Sequence, residues 1–227
     1  MNFKEDVDPV KATFYVGEEV EKNVLKPRGI ACSVFSEGSV FLLTSSSAVG
    51  EADNQKKLIA ERFSSSQFGD HRLDVSFSKQ VGNFTFLNID NEHNAGTIGR
   101  SWQICLNLES PDYEMKGLAK PFCGGSQFKL KFECVGRSTT IKVESGKKVE
   151  RTSIIGVPII IERKQNNRKH SGRFAVIGVV GLTSEEKLCP CYWDPSDENT
   201  RSLGEFCLVC AYIDLGGLTQ KMTRLSI

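Results

Sequence analysis

Eleven apolar segments of four to nine residues, rich in Val, Ile, Phe and Thr, recur along this 227-residue chain between serine-glycine, glycine-glycine and asparagine-rich breaks. Runs of that length suit strands and are too short for a helical stripe to develop. The first group is Thr13–Val16, Ile30–Phe35, Ser39–Leu43, Leu73–Phe77, Phe84–Ile89 and Trp102–Leu108. The second is Phe128–Val135, Thr139–Val143, Val157–Ile161, Phe174–Val180 and Glu205–Ile213. Helix is expected only at Glu51–Phe63 and at Leu215–Leu225, where Leu215, Leu218, Met222 and Leu225 fall at helical intervals. A weak boundary lies near Pro111–Pro121. This layout predicts an all-β unit over 1–227: two packed six-stranded β-barrels, 13–110 and 121–213, closed by a short C-terminal α-helix over 215–225. A chain of this size can bury a sizeable core without staples.

The charge is unevenly spread. The net charge is only +1, yet residues 116–173 hold 14 basic and 4 acidic side chains, against 11 basic and 17 acidic in residues 1–115. Within the basic part, ERKQNNRKHSGR concentrates Arg163, Lys164, Arg168, Lys169 and Arg173 against Glu162. Lys129 and Lys131 alternate along FKLKF, and Lys147, Lys148 and Arg151 follow. Such a region attracts an acidic protein surface or a nucleic-acid backbone through long-range, salt-sensitive forces. Solvated charge on a barrel exterior is its plainest use. No helix-turn-helix, zinc-finger or aromatic base-stacking pattern accompanies it.

Three segments carry a resemblance. SVFLLTSSSAV runs a strand into Leu-Thr and a serine triplet, NFTFLNI opens a strand on Asn83, and SIIGVPIII leads through a long loop into FAVIGVVGL. In this order they resemble the trypsin-like (chymotrypsin-fold) serine peptidases. The resemblance implies that Ser47 stands at the histidine position, Asn83 at the aspartate position and Ile155 at the nucleophile position. Gly156 and Pro158 match the family's nucleophile loop. Ile154 replaces the aspartate that pairs with a freed N-terminus. FCLVCAYI and the helix after it resemble the family's C-terminal ending.

The chemistry implied by those exchanges is a loss. The triad works because an imidazole accepts the nucleophile's proton while a carboxylate orients that imidazole. A serine is no base near neutral pH, and isoleucine has no nucleophilic atom. The resemblance therefore implies a pseudoprotease, not an enzyme, serving as a protein-interaction or scaffold module that takes an extended peptide or an acidic surface. A nucleic-acid-binding domain using the basic half is the alternative, and a peptidase with relocated catalytic groups is a third reading without recognisable spacing behind it.

Eight cysteines, without the spacing of a small disulfide framework, suggest reduced thiols. No secretory leader and no apolar run of membrane-spanning length is visible, so a cytoplasmic or nuclear location without membrane association is expected. Cys189-Pro-Cys191 and Cys207-Leu-Val-Cys210 could together supply four thiolates to zinc. The first pair is one residue short of the common knuckle, and the second lies in an expected strand whose residues three apart face opposite ways. Buried thiols are the default, and no cofactor is expected. PFCGGSQF superficially resembles a cysteine-peptidase loop, but His71 and His93 lie too close in sequence to Cys123. A two-glycine turn is the simpler use.

Overall fold

A computed structural model describes residues 11–22, 24–36, 39–50, 57–63, 72–90, 103–104, 115–119, 128–135, 138–143, 150–162 and 174–192. Six antiparallel strands close into a barrel: β1 (Thr13–Glu21), β2 (Val24–Ser36), β3 (Ser39–Ser45), β4 (Leu58–Arg62), β5 (Arg72–Val81) and β6 (Phe84–Ile89). Their order is β1-β2-β3-β6-β5-β4, and β4 pairs back onto β1 through Phe14–Arg62 to Glu18–Leu58. Closure leaves no strand without two neighbours.

A second sheet follows, made of β7 (Gln103–Ile104), β8 (Met115–Ala119), β9 (Phe128–Val135), β10 (Ser138–Val143), β11 (Pro158–Glu162), β12 (Phe174–Leu182) and β13 (Leu188–Tyr192). Its order is β10-β9-β8-β11-β12-β13, with β7 laid parallel to β12 at Ala175 and Val176. Ile141 of β10 and Leu188 and Tyr192 of β13 pack against one core with Leu130 and Phe132, so the sheet curls and brings its end strands together. The described residues thus form one closed barrel and one seven-stranded sheet, rather than two closed six-stranded barrels. The expected last strand, Glu205–Ile213, and the expected helix, Leu215–Leu225, lie outside the described residues. Gln103–Ile104, expected within the first barrel, pairs with the second sheet instead.

Barrel strands are apolar on both faces. Phe14, Val16, Ala31, Leu42, Ala60, Leu73, Val75 and Leu87 gather into one cluster. Their neighbours in sequence point the other way: Cys32, Val34, Leu43, Phe84 and Phe86 pack with Ile160, Val176 and Val179 of the second sheet. A strand covered on both sides reads as a continuous apolar run, which is why FLL and IAC show no polar alternation. Phe14, Phe84 and Phe86 are completely or almost completely removed from solvent.

The helix expected at Glu51–Phe63 is corrected over its second half. Leu58–Arg62 is β4, paired to β1 on one side and β5 on the other. Ile59 packs among residues shared with the second sheet while Ala60 joins the cluster around Phe14, a two-residue alternation that the neighbouring strands impose over local helical preference. No described helix is long and apolar enough to cross a membrane.

Candidate functional site

The serine triplet sits where β3 ends. Ser45 is extended and buried, and its Oγ accepts a hydrogen bond from the Ser47 backbone N–H at 3.3 Å, capping the single helical turn α1 (Ser46–Val49). The Ser46 N–H donates to the Asn83 carbonyl at 2.9 Å, docking the tight turn between β5 and β6 against the start of α1. Ser47 is exposed, and its Oγ accepts from the Leu182 N–H at 3.3 Å. The three hydroxyl residues therefore do three different things: cap, anchor and bridge. Arg28, ion-paired with Glu18, donates from Nη1 to the Val49 carbonyl at 3.0 Å and holds the far end of α1.

The loop before β11 meets this turn from the other side. A 3-10 turn at Arg151–Ser153 delivers two consecutive buried isoleucines into different cores. Ile154 packs with Tyr15, Leu25, Ile30 and Phe132, whereas Ile155 joins Ala48, Val49 and Phe14. The Ile30 N–H donates to the Ile155 carbonyl, and the Gly156 N–H to the Val180 carbonyl, both at 2.7 Å. Gly156 has φ 83°, and a Cβ there would lie 1.9 Å from the Ile30 carbonyl oxygen and 2.5 Å from Thr44 Oγ1. Only glycine meets both demands. Thr44 Oγ1 in turn donates to that carbonyl at 2.6 Å.

Ser47 is tied to the end of β12 through Leu182, and Ile155 through its neighbour Gly156 and Val180, whereas Asn83 is bonded through its carbonyl to Ser46 at the start of α1. Their side chains are a hydroxyl, an amide and a hydrocarbon. None of these titrates near neutral pH or becomes a nucleophile without an adjacent base. His71, His93, His170 and Cys123 lie outside the described residues, as do the basic-loop residues Arg163, Lys164, Arg168, Lys169 and Arg173. Lys129 and Lys131 are both exposed on β9, as their alternation predicts.

Of the candidate zinc ligands, Cys189 and Cys191 lie on β13 with their Sγ atoms 3.9 Å apart, and Cys207 and Cys210 lie outside the described residues. Among the described residues no three His, Cys, Asp or Glu side chains gather in a way that could hold a metal. Two features escaped the sequence reading. Among the described residues Ser153 Oγ is buried without a hydrogen-bond partner, which nothing in a Thr-Ser-Ile-Ile string announces. An open depression of about 650 Å³ is lined by Glu19, Val20, Glu21, Lys22, Lys57, Arg72 and Asp74. Its charges largely neutralise one another: Lys57 bridges Glu19 at 3.4 Å and Asp74 at 3.0 Å, and Arg72 pairs with Glu19. The acidic residues Glu19 and Glu21 beside Lys22 are its one sign in the sequence.

The chain matches no known family model and no curated protein sequence. Among solved structures it is similar to kallikrein-related peptidase 10, at 10% identity and a TM-score of 0.52, over 89% of this chain and 97% of that one. It is also similar to the NSP4 proteinase of equine arteritis virus, at 17% identity and a TM-score of 0.43, over 84% and 76%. At these identities the likeness concerns the backbone: the fold resembles that of the trypsin-like serine proteases.

Proposed function

We propose that this chain is a catalytically inactive counterpart of the trypsin-like proteases, acting as a protein-interaction module that holds an extended segment of a partner without cutting it. On this reading the seven-stranded sheet corresponds to the second barrel of those proteases. Ser47, Asn83 and Ile155 then occupy the places of base, orienting carboxylate and nucleophile.

The observation that carries the reading is the state of Ile155. Its side chain is 5% exposed and packed with Ala48, Val49 and Phe14, in the loop that Gly156 locks against β2 and β12. A hydrocarbon buried at that point offers no atom to attack a carbonyl. Ser47 cannot stand in for a base, because a hydroxyl takes up no proton near neutral pH, and its Oγ already accepts from the Leu182 N–H. Losing base and nucleophile together leaves only binding. Strand addition to a sheet edge is the mode of capture that this all-β scaffold suits best.

The test has two arms. Incubating the chain with a casein digest and with a fluorophosphonate probe should give no cleavage above buffer and no covalent label. Screening it against an array of extended peptides should return a sequence-selective set. Hydrolysis that disappears in Ser47→Ala or Ser153→Ala would overturn the inactive assignment. An array with no selective binder would remove the interaction role.

A further inference from the structure

A pair of sulfur atoms lies close to this cluster. Cys189 and Cys191 flank Pro190 on β13, and residues two apart on a strand project from the same face. Twice the strand rise separates their Cα atoms by roughly 6.6 Å, near the long end of the roughly 4.4–6.8 Å range that disulfides span. Their Sγ atoms are already 3.9 Å apart. Bringing them to bonding distance takes roughly 2 Å of approach. Such a bond forms at the edge of its geometric range, which makes it easily reduced again.

The position favours that movement. β13 ends the strand order of its sheet, so one side has no ladder to break among the described residues. Pro190, opposite Val180, has no N–H to contribute to the ladder on the other side.

The two thiols are unequal. Cys189 is partly exposed, whereas Cys191 is buried, its thiol pushed up to about 12 by burial and by the neighbouring sulfur. An external reagent therefore meets Cys189 first, and Cys191 is placed to act second. Cys32 provides an internal contrast: it is completely buried, and burial raises its thiol strongly.

We propose that Cys189 and Cys191 form a reversible redox dithiol whose reaction partner is a low-molecular-weight disulfide of the glutathione type. Cys189 loses its proton to solvent, and the thiolate attacks one sulfur of glutathione disulfide. A mixed disulfide forms on Cys189 and one glutathione thiolate leaves. The Cys191 sulfur then attacks the Cys189 sulfur, its proton passing to the second departing glutathione. Two protein thiols are oxidised to one disulfide, and one glutathione disulfide is reduced to two thiols.

The site also touches its surroundings. A Cβ added to Gly181 would lie 2.7 Å from the Cys191 sulfur and 3.1 Å from Ser45 Oγ. Forming the bond shifts this sulfur relative to Gly181, the neighbour of Leu182. The dithiol does not depend on whether the chain is an inactive protease counterpart.

The experiment equilibrates the full-length chain in glutathione buffers of graded oxidised-to-reduced ratio, traps free thiols with iodoacetamide, and maps each cysteine by peptide mass spectrometry. The peptide carrying both cysteines should lose two hydrogens as the ratio rises and regain them when it falls. Cys191→Ala should instead accumulate glutathione on Cys189, and Cys189→Ala should remain free of glutathione at Cys191. Cys32 should stay untrapped in every folded sample, which reports that each variant has kept its core. Full alkylation of both thiols at every ratio would overturn the proposal, as would a disulfide joining Cys189 to any other cysteine.

Discussion

The barrel and the seven-stranded sheet bury the same kinds of side chain but finish their edges differently. Each barrel strand has a neighbour on both sides, from β1 around to β4 and back. Among the described residues the sheet's ladder instead ends at β10 and β13, which meet through side chains, and it takes in the two-residue β7 beside β12. The barrel contributes to the shared site through backbone anchors: the Ile30 N–H, the Asn83 carbonyl and the capped turn α1. The sheet side contributes the Ile154–Gly156 loop, the Val180–Leu182 stretch and the two sulfurs of β13. A closed barrel thus acts as the reference frame, while the second sheet carries the Ile154–Gly156 loop and the paired sulfurs.

The sharpest way to break that contrast is at the seam. Gly156→Ala places a Cβ against the Ile30 carbonyl at 1.9 Å in a left-handed backbone conformation. Neither obstacle is the flexible end of a side chain. The cost should exceed about 4 kcal/mol, in the range reserved for strained or clashing core changes. Urea denaturation should show a chain largely unfolded without denaturant. A variant with a near-native midpoint would mean that barrel and sheet are not locked at this point.

Next comes a pair of substitutions that weighs the two regions against each other. Phe86 is completely buried and packs between barrel and sheet, so Phe86→Ala should cost about 3–5 kcal/mol. Leu188 on the end strand β13 is only partly buried, so Leu188→Ala should cost about 1 kcal/mol. Both are read from the same urea titration. Equal losses would show that the sheet edge is as tightly packed as the barrel, and the contrast would fail.

The same difference governs what could be read from sequence. Phe84–Ile89 and Phe128–Val135 match their expected boundaries because the first is dominated by Phe, Thr, Leu and Ile and the second alternates Phe128, Leu130 and Phe132 with Lys129, Lys131 and Glu133, the two-residue period of a strand. β8 and β13 were not expected. MKGLA carries a lysine and a glycine, and LCPCY carries a proline, residues that weaken a strand signal unless the neighbours supply the pairing. β4 reads as helix from sequence because its five residues are too few to separate the two periods. In the site, the order of the matched segments singled out Ser47, Asn83 and Ile155, but the bonds around them join parts of the chain far apart in sequence. The bond from Leu182 to Ser47 spans 135 positions and left no trace in the local string.

The smallest expected effects separate the serines of α1. Ser45 is buried and its Oγ caps the helical turn, so Ser45→Ala should cost about 1 kcal/mol. Ser47 is exposed and contributes one 3.3 Å acceptor to the Leu182 N–H, which water can replace. Ser47→Ala should therefore change stability by less than about 0.5 kcal/mol, as surface substitutions generally do. Amide exchange should register it more clearly: the Leu182 N–H should exchange faster in Ser47→Ala, while amides of the barrel keep their wild-type rates. A Ser47→Ala loss as large as that of Ser45→Ala would place Ser47 in a tighter network than one bridging bond. It would also make the barrel side of the site, and not only the sheet side, sensitive to its side chains.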